Sequence, residues 1–444
     1  MISVSGVRGV IGKGLNPEVI SRFSLAFGTL IKGGVVVVGS DTRTSGEMVK
    51  HSVISGLLAT GCDVIDLGIC PTPTVLFNVK AFNTDGGIAI TASHNPVEWN
   101  GLKFIGKDAI FLNQKEAKKL ISIYESNSVK PVLWNRLGKT YRNNKGIKKH
   151  INAVLSLPML NIRGLKRRKF RVVVDCVNGA ASYAFPELLK RLGCDIVKVF
   201  CDGNGDFKRK PEPLAKNLSI LGKMVKRSNA DIGFATDVDG DRLSIVGDDG
   251  IPLGEEYSLP LAARFLLSKR KGNVVANLST SRMIDAVAKE YGVRLFRTKV
   301  GEANVVAKMK SVNAVVGGEG NGGIILPDLL YTRDAFSGIA LILEYLLESK
   351  KSITHLKEEL PKFAIVKKRK VLKPSKKKFN YEKILAVLPK GKIERTDGIR
   401  IDWENGWLHI RKSGTEPIVR IIAEAHTKKE AEQLCKKVMR IIDV

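Results

Sequence analysis

Gly87-Ile88-Ala89-Ile90-Thr91-Ala92-Ser93-His94-Asn95-Pro96 runs from a short apolar segment straight into turn chemistry. Four such residues bounded by turn signals read as a buried strand of an α/β domain. Asn before Pro ends the strand, because proline disfavours helical backbone in the preceding residue and fixes its own φ. Ser93 therefore sits on a tight loop beyond a strand's carboxyl end, where open α/β sheets keep their sites. Asn100 and Lys103 follow with an amide and a cation. Alone, the stretch also fits an ordinary polar loop.

Working outward, three segments share a rhythm of apolar strand, glycine-containing loop and amphipathic helix. Val35 to Gly39 leads through Ser40–Gly46 into a helix ending at Leu58. Val172–Asp175 leads through Asn178-Gly179-Ala180 into a helix ending near Leu192. Asn273 to Leu278 leads to Ser279-Thr280-Ser281, which caps a helix reaching about Tyr291. Strands alternating with helices imply parallel sheets, here one architecture used three times. The last 80 or so residues carry short strands at 399–401, 407–410 and 419–422 and a closing helix from Lys428 to about Met439. The expected fold is therefore three similar α/β domains with mixed, mostly parallel sheets, plus a smaller C-terminal α+β domain. The expected boundaries are 1–152, 153–253, 254–362 and 366–444.

A chain of 444 residues is too long for one core. Its 44% apolar content with mixed charge suits a globular protein, and no run of about 18 apolar residues occurs. The first residues lack a signal-peptide layout, so the expected location is cytoplasmic. Six cysteines form no CxxC pair and read as reduced thiols. The net charge of +29 is concentrated in runs such as 167–169, 208–210, 367–370 and 376–378. No aromatic residues interleave them and no nucleic-acid motif appears, so they read as solvated faces or connectors, with anion steering next. Specific nucleic-acid and membrane partners are not expected.

Three further loops carry chemistry. Asp237-Val238-Asp239-Gly240-Asp241-Arg242 follows the apolar run 232–235 and can converge three carboxylates on one hard cation. An EF-hand needs Gly sixth and Glu twelfth, where Arg242 and Asp248 stand; three carboxylates with open positions suit Mg²⁺. Arg242 tempers their charge or contacts a phosphate. Gly317–Gly323 carries Glu319 and Asn321 among five glycines, a carboxylate and an amide suited to sugar hydroxyls. Arg411-Lys412-Ser413-Gly414-Thr415-Glu416-Pro417, with Arg420 beyond it, makes an anion cradle of cations, hydroxyls and exposed amides. It has neither Walker spacing nor a GxSxG elbow.

These four loops, in this order, resemble those of the α-D-phosphohexomutases, the family of phosphoglucomutases, phosphomannomutases and phosphoglucosamine mutases. The resemblance covers essentially the whole chain. It matches Thr91–Pro96 to the phosphoserine loop, Asp237–Arg242 to the metal loop, Glu319–Gly322 to the sugar loop and Arg411–Pro417 to the phosphate loop. It implies one Mg²⁺ on Asp237, Asp239, Asp241 and a Ser93 phosphate oxygen, and a hexose 1,6-bisphosphate as primer and intermediate. It also implies that Lys103 and Arg8 are the candidates for proton movement. His94 stands with them among the candidate catalytic residues but is not assumed to be the base for its neighbour, because adjacent side chains on an extended segment point opposite ways. Lys299, Gly301 and Arg333 fall in segments that resemble those lining the family's sugar site. The non-reacting phosphate is expected on Arg411, Ser413, Gly414, Thr415 and Arg420.

The N-terminal Ser3-Val4-Ser5-Gly6-Val7-Arg8-Gly9 lacks the family's usual Gly-Thr-Asp/Ser before Gly, and Asn321 replaces a common serine. With Gly254-Glu255-Glu256-Tyr257, these variants resemble the phosphoglucosamine mutase branch. The resemblance thus implies conversion of glucosamine 6-phosphate to glucosamine 1-phosphate, ahead of amino-sugar nucleotide synthesis, by a monomer or homodimer. The alternatives are a phosphoglucomutase/phosphomannomutase of dual specificity, a phosphosugar hydrolase, or a basic polyanion-binding protein with a degenerate mutase fold.

Overall fold

The structure is a computed structural model and describes residues 2–3, 6–371, 381–412 and 418–443. Its first sheet contains β1 (Ile2–Ser3), β2 (Gly6–Val10), β3 (Gly34–Ser40), β4 (Cys62–Ile69), β5 (Gly86–Ile90), β6 (Trp99–Gly106) and β7 (Thr140–Arg142). Their order is β1-β2-β6-β5-β3-β4-β7. The second sheet holds β8 (Arg171–Asp175), β9 (Asp195–Val199), β10 (Ile232–Thr236) and β11 (Leu243–Val246), in the order β11-β10-β8-β9. The third holds β12 (Val274–Asn277), β13 (Leu295–Thr298), β14 (Val316–Glu319) and β15 (Gly323–Ile325), in the order β13-β12-β14-β15.

One unit recurs in all three. Its first strand pairs in parallel with its second and third, and its fourth runs antiparallel beside the third. The first strands have buried centres, Val36–Val38, Val172–Val174 and Val274–Ala276, because helices cover both faces of a parallel sheet. Such runs accept any apolar residue of suitable size, which explains why identical topology leaves little sequence self-similarity. The connection from third to fourth strand is 91–98 in the first unit, 237–242 in the second and 320–322 in the third. These are the serine, aspartate and glycine loops singled out from the sequence.

The second and third units share one core. The helix Ala335–Ser349 is buried along most of its length, and Phe336 packs edge-on against Phe185 of the second unit. Asp334 caps it, accepting from the N–H groups of Phe336 and Ser337. The first unit has a separate core around Phe23, Phe27 and Phe104.

The last sheet is antiparallel: β16 (Ala364–Val371), β17 (Lys392–Glu394), β18 (Ile399–Trp403), β19 (Gly406–Lys412) and β20 (Ile418–Ala425), ordered β16-β20-β19-β18-β17. The helix Lys428–Asp443 covers one face. Here two sequence expectations are corrected. Lys367-Lys368-Arg369-Lys370 is not a connector but half of the edge strand β16, where charge blocks further strand pairing. Arg209 is not on a solvated face: its side chain is buried, with Nε 2.8 Å from Asp175 and Nη2 2.7 Å from the Thr236 carbonyl. The run 376–378 lies outside the described residues. Among the described residues, no helix is long and apolar enough to cross a membrane.

Candidate active site

Ser93 lies in the left-handed region at φ 51°, uncommon for a residue with a side chain and costly by about 1 kcal/mol or more. Its surroundings hold it there. The Thr91 hydroxyl accepts the Ser93 N–H at 2.8 Å and donates to Asp41 at 2.6 Å. Asp41 in turn pairs with Arg43 Nε at 3.1 Å. Arg43 then donates to the carbonyls of Ser93 and Asn95, both at 2.7 Å, of Trp99 at 3.0 Å, and of Pro96. One buried guanidinium thus ties down three carbonyls of the serine loop and the first carbonyl of β6. Sequence reading did not single out Arg43 or Asp41. Their signal was charge immediately after β3, where a buried loop needs internal partners.

The turn at Ser93 corrects the expectation for His94. The segment is not extended there, and His94 Nδ1 lies 3.4 Å from Ser93 Oγ. Nδ1 also accepts from Arg242 Nη2 at 3.0 Å. The Arg242 charge, followed by burial, holds the imidazole well below its usual range and therefore neutral.

Ser93 Oγ donates to Asp237 Oδ2 at 2.9 Å. One carboxylate oxygen each of Asp237, Asp239 and Asp241 lies within 4.8 Å of the others, all three residues being buried. Lys103 Nζ sits 2.6 Å from Asp239 and 3.4 Å from Asp241. Thr72, another residue not anticipated, donates its hydroxyl to Asp239 at 2.8 Å. Burial, and then the other two carboxylates, drive Asp237 well above the usual carboxylate range. For Asp239 burial acts in the same direction, but Lys103 and Thr72 outweigh it and hold the group ionised. Oδ1 of both Asp239 and Asp241 is buried without a hydrogen-bond partner. Converging hard oxygens with unused lone pairs fit a small divalent cation.

Arg242 Nε lies 3.6 Å from Asp237 and 3.8 Å from Asp241, and Nη1 pairs with Glu212 at 3.1 Å. Arg8, on β2, reaches Asn95 Oδ1 at 3.4 Å. Burial lowers its pKa from the usual guanidinium range, Asp239 opposing and Arg242 adding to the effect.

Glu319 ends β14 beside the aspartate loop. Arg333 links the two, with Nη1 3.1 Å from Glu319, Nη2 2.7 Å from Asp241 and Nε 3.0 Å from Glu302. Burial alone would raise Glu319; Arg333, Asn277 and the Gly301 N–H outweigh it. Asn321 Nδ2 lies 3.4 Å from Glu319, and its Oδ1 accepts the Gly323 N–H. Gly301 has φ 119°, and Lys299 is exposed. The expected cap at 279–281 is displaced: the helix begins at Met283, whose N–H meets the Ser281 hydroxyl, while Thr280 Oγ1 accepts the Gly320 N–H of the hairpin.

Arg411 and Arg420 face one another across β19 and β20. Ser413, Gly414 and Thr415 lie outside the described residues. Asp397 bridges this sheet to the third unit, accepting the Val300 N–H at 2.9 Å with Arg411 4.0 Å away.

The four phosphoglucomutase/phosphomannomutase domain families match in order. The alpha/beta/alpha domains I, II and III match residues 2–130, 148–250 and 255–363, and the C-terminal domain 366–441. A phosphoglucomutase/phosphomannomutase of Thermococcus kodakarensis is 37% identical, the alignment covering 99% of this chain and 97% of that one. A probable phosphoglucosamine mutase of Pyrococcus horikoshii is 38% identical, covering 99% and 96%. The crystal structure of a phosphoglucomutase/phosphomannomutase family protein from Burkholderia thailandensis superposes with a TM-score of 0.85 at 28% identity, covering 99% and 97%. Matched along its length in sequence, domain order and fold, the chain belongs to the α-D-phosphohexomutases, phosphotransferases of the isomerase class.

Proposed function

We propose that this enzyme moves phosphate between C6 and C1 of a hexose through a phosphorylated Ser93 and a hexose 1,6-bisphosphate. Glucosamine 6-phosphate to glucosamine 1-phosphate is the preferred conversion. The observation that carries the reaction is Ser93 Oγ, held in a strained turn 2.9 Å from the first of three clustered carboxylates.

The substrate's free hydroxyl oxygen attacks the phosphorus on Ser93. The P–O bond to Ser93 breaks, and the hydroxyl proton ends on Ser93 Oγ. The bisphosphate then turns over, and its other phosphate returns to Ser93 by the reverse step. Lys103, paired with Asp239, and Arg8 are the groups assigned to that proton movement. Asp237, Asp239 and Asp241 hold one Mg²⁺, which supplies charge stabilisation to the transferring phosphoryl group. Glu319 and Asn321 orient the sugar hydroxyls, with Lys299, Gly301, Arg333 and Arg242 around them. Arg411, Ser413, Gly414, Thr415 and Arg420 hold the phosphate that is not transferred. A hexose 1,6-bisphosphate primes Ser93. The enzyme is cytoplasmic and acts as a monomer or homodimer without nucleic-acid or membrane partners.

The amino-sugar preference is supported by the probable phosphoglucosamine mutase of P. horikoshii, and by Asn321 with Gly254-Glu255-Glu256-Tyr257. The T. kodakarensis relative, named for glucose and mannose phosphates, favours the dual-specificity reading instead. Parallel assays with Mg²⁺ and a bisphosphate primer on the 6-phosphates of glucosamine, glucose and mannose decide between them. A preference of about 100-fold in kcat/KM for the amino sugar, about 2.7 kcal/mol of transition-state discrimination, is expected. Comparable rates on glucose and mannose phosphates would establish the second reading, and no turnover of any would remove both.

A further inference from the structure

The register of the last sheet places three arginines in one row. Arg369 on β16 is the direct partner of Arg420 on β20, which is the direct partner of Arg411 on β19. Directly paired residues of antiparallel strands project from the same face, with Cβ atoms about 5 Å apart. That face looks toward the third unit and its hairpin. Two residues before Arg369, Lys367 reaches the Gly320 carbonyl at 3.1 Å and Glu255 and Glu256 at 2.9 and 2.8 Å. Two residues before Arg411, His409 reaches Ser279 at 2.9 Å. The opposite face, with Val366, Ile410, Val419 and Ile421, packs on the closing helix.

Like charges directly opposite on a sheet repel, and an anion bound between them relieves that repulsion. Asp397, 4.0 Å from Arg411, lies at the limit of an ion pair. Among the described residues Arg411 Nε is buried without a hydrogen-bond partner. Arg369 and Arg420 are exposed, so an anion can reach the row. Three guanidiniums offer forked N–H donors to a tetrahedral dianion.

We propose that Arg369 joins Arg411 and Arg420 in binding the phosphate dianion of the sugar that is not being transferred. The assignment rests on the mutase reading above and adds a residue from a strand that no phosphate-loop motif includes. Arg369 grips the ligand without touching the reacting phosphorus, so it acts on binding rather than on chemistry.

Two titrations and one kinetic comparison test it, on wild type, Arg369→Gln, Arg369→Lys and Lys368→Gln. Lys368 carries the same charge one residue away on the helix-covered face, and so reports general electrostatics alone. Inorganic phosphate, and separately glucose 6-phosphate on a Ser93→Ala background, are titrated calorimetrically at low salt. Losing one charge-assisted contact should weaken both about tenfold in Arg369→Gln. The same variant should raise KM for the sugar phosphate comparably with kcat within about twofold. Arg369→Lys should recover most of the affinity, and Lys368→Gln should match wild type. Unchanged phosphate affinity in Arg369→Gln, or an equal loss in Lys368→Gln, overturns the assignment. If wild type turns over no hexose phosphate yet Arg369→Gln still loses phosphate affinity, the mutase reading fails while Arg369 stands as an anion ligand.

Discussion

Ser93 has its strained backbone because Arg43 and Asp41 make any other path of the loop costlier. Removing Arg43 leaves four carbonyls, three of the loop and one of β6, without their shared donor and lets the serine relax from its turn. Arg43→Ala should therefore lower kcat about 100-fold through misplacement of Ser93, with a much smaller change in KM. Steady-state kinetics check this; a variant with normal kcat would show that the loop holds itself. Lys103 sets a second expectation, because its ammonium stands among carboxylates that also suit a cation. Lys103→Met should cost about 3 kcal/mol in metal-free protein, since it strands buried charge. Added MgCl₂ should then raise the melting temperature of this variant more than that of wild type. Equal shifts would mean that lysine and metal do not share the carboxylates. The aspartates and Ser93 were legible as residue types at telling spacings. Arg43, Asp41 and Thr72 were not, because their importance lies in contacts made across the fold. The placement of the His94 side chain beside Ser93 was not legible, because a single left-handed residue reverses the alternation of an extended chain.

At the level of the element, the third-to-fourth strand connection is the recurring device. Strand–loop–helix rhythm was readable because buried parallel strands are continuous apolar runs. The edge strand β16 was not readable, since its second half is charged and its pairing partners come about 50 residues later. Placement of the aspartate loop depends on the neighbouring turn at Gly179: a Cβ there would sit 2.5 Å from the Val238 carbonyl oxygen. The Ala180 N–H also donates to that oxygen at 2.7 Å. Gly179→Ala should displace the loop and weaken Mg²⁺ binding about tenfold or more. Metal titration of activity and of thermal stability would register it; unchanged affinity would show that the loop is anchored elsewhere.

Across the whole molecule, the last sheet is joined to the third unit partly through His409. Its Nε2 must carry the proton, because it meets the Asp397 carbonyl at 2.6 Å, which leaves Nδ1 to accept from Ser279. Burial pushes the imidazole down to about 4, against the pull of Asp397. A depressed histidine gives stability that is fully present above its unfolded value of about 6.5 and is lost as pH falls toward 4. Acidification across that window should cost wild type up to roughly 3 kcal/mol more than His409→Gln, which keeps a donor and an acceptor but cannot titrate. Denaturant melts at pH 7 and pH 4.5 measure the difference; parallel losses would assign the acid sensitivity to other groups. Four segments in series were legible from the sequence, whereas the core shared by the second and third units was not. That core is built by the helix Ala335–Ser349, whose apolar surface reads equally well as belonging to one unit.

Ser93 and Asp237 meet although 144 residues separate them along the chain, each delivered by its own sheet. A chain still emerging from the ribosome with only its first unit finished therefore has its serine hydroxyl beside His94 but no carboxylate to donate to. When the second unit closes, the serine and carboxylates come together, but the arginines of β19 and β20 do not yet exist. Half-made protein lacks the contact between serine and carboxylate, and the facing arginines are in place only once the final strands form.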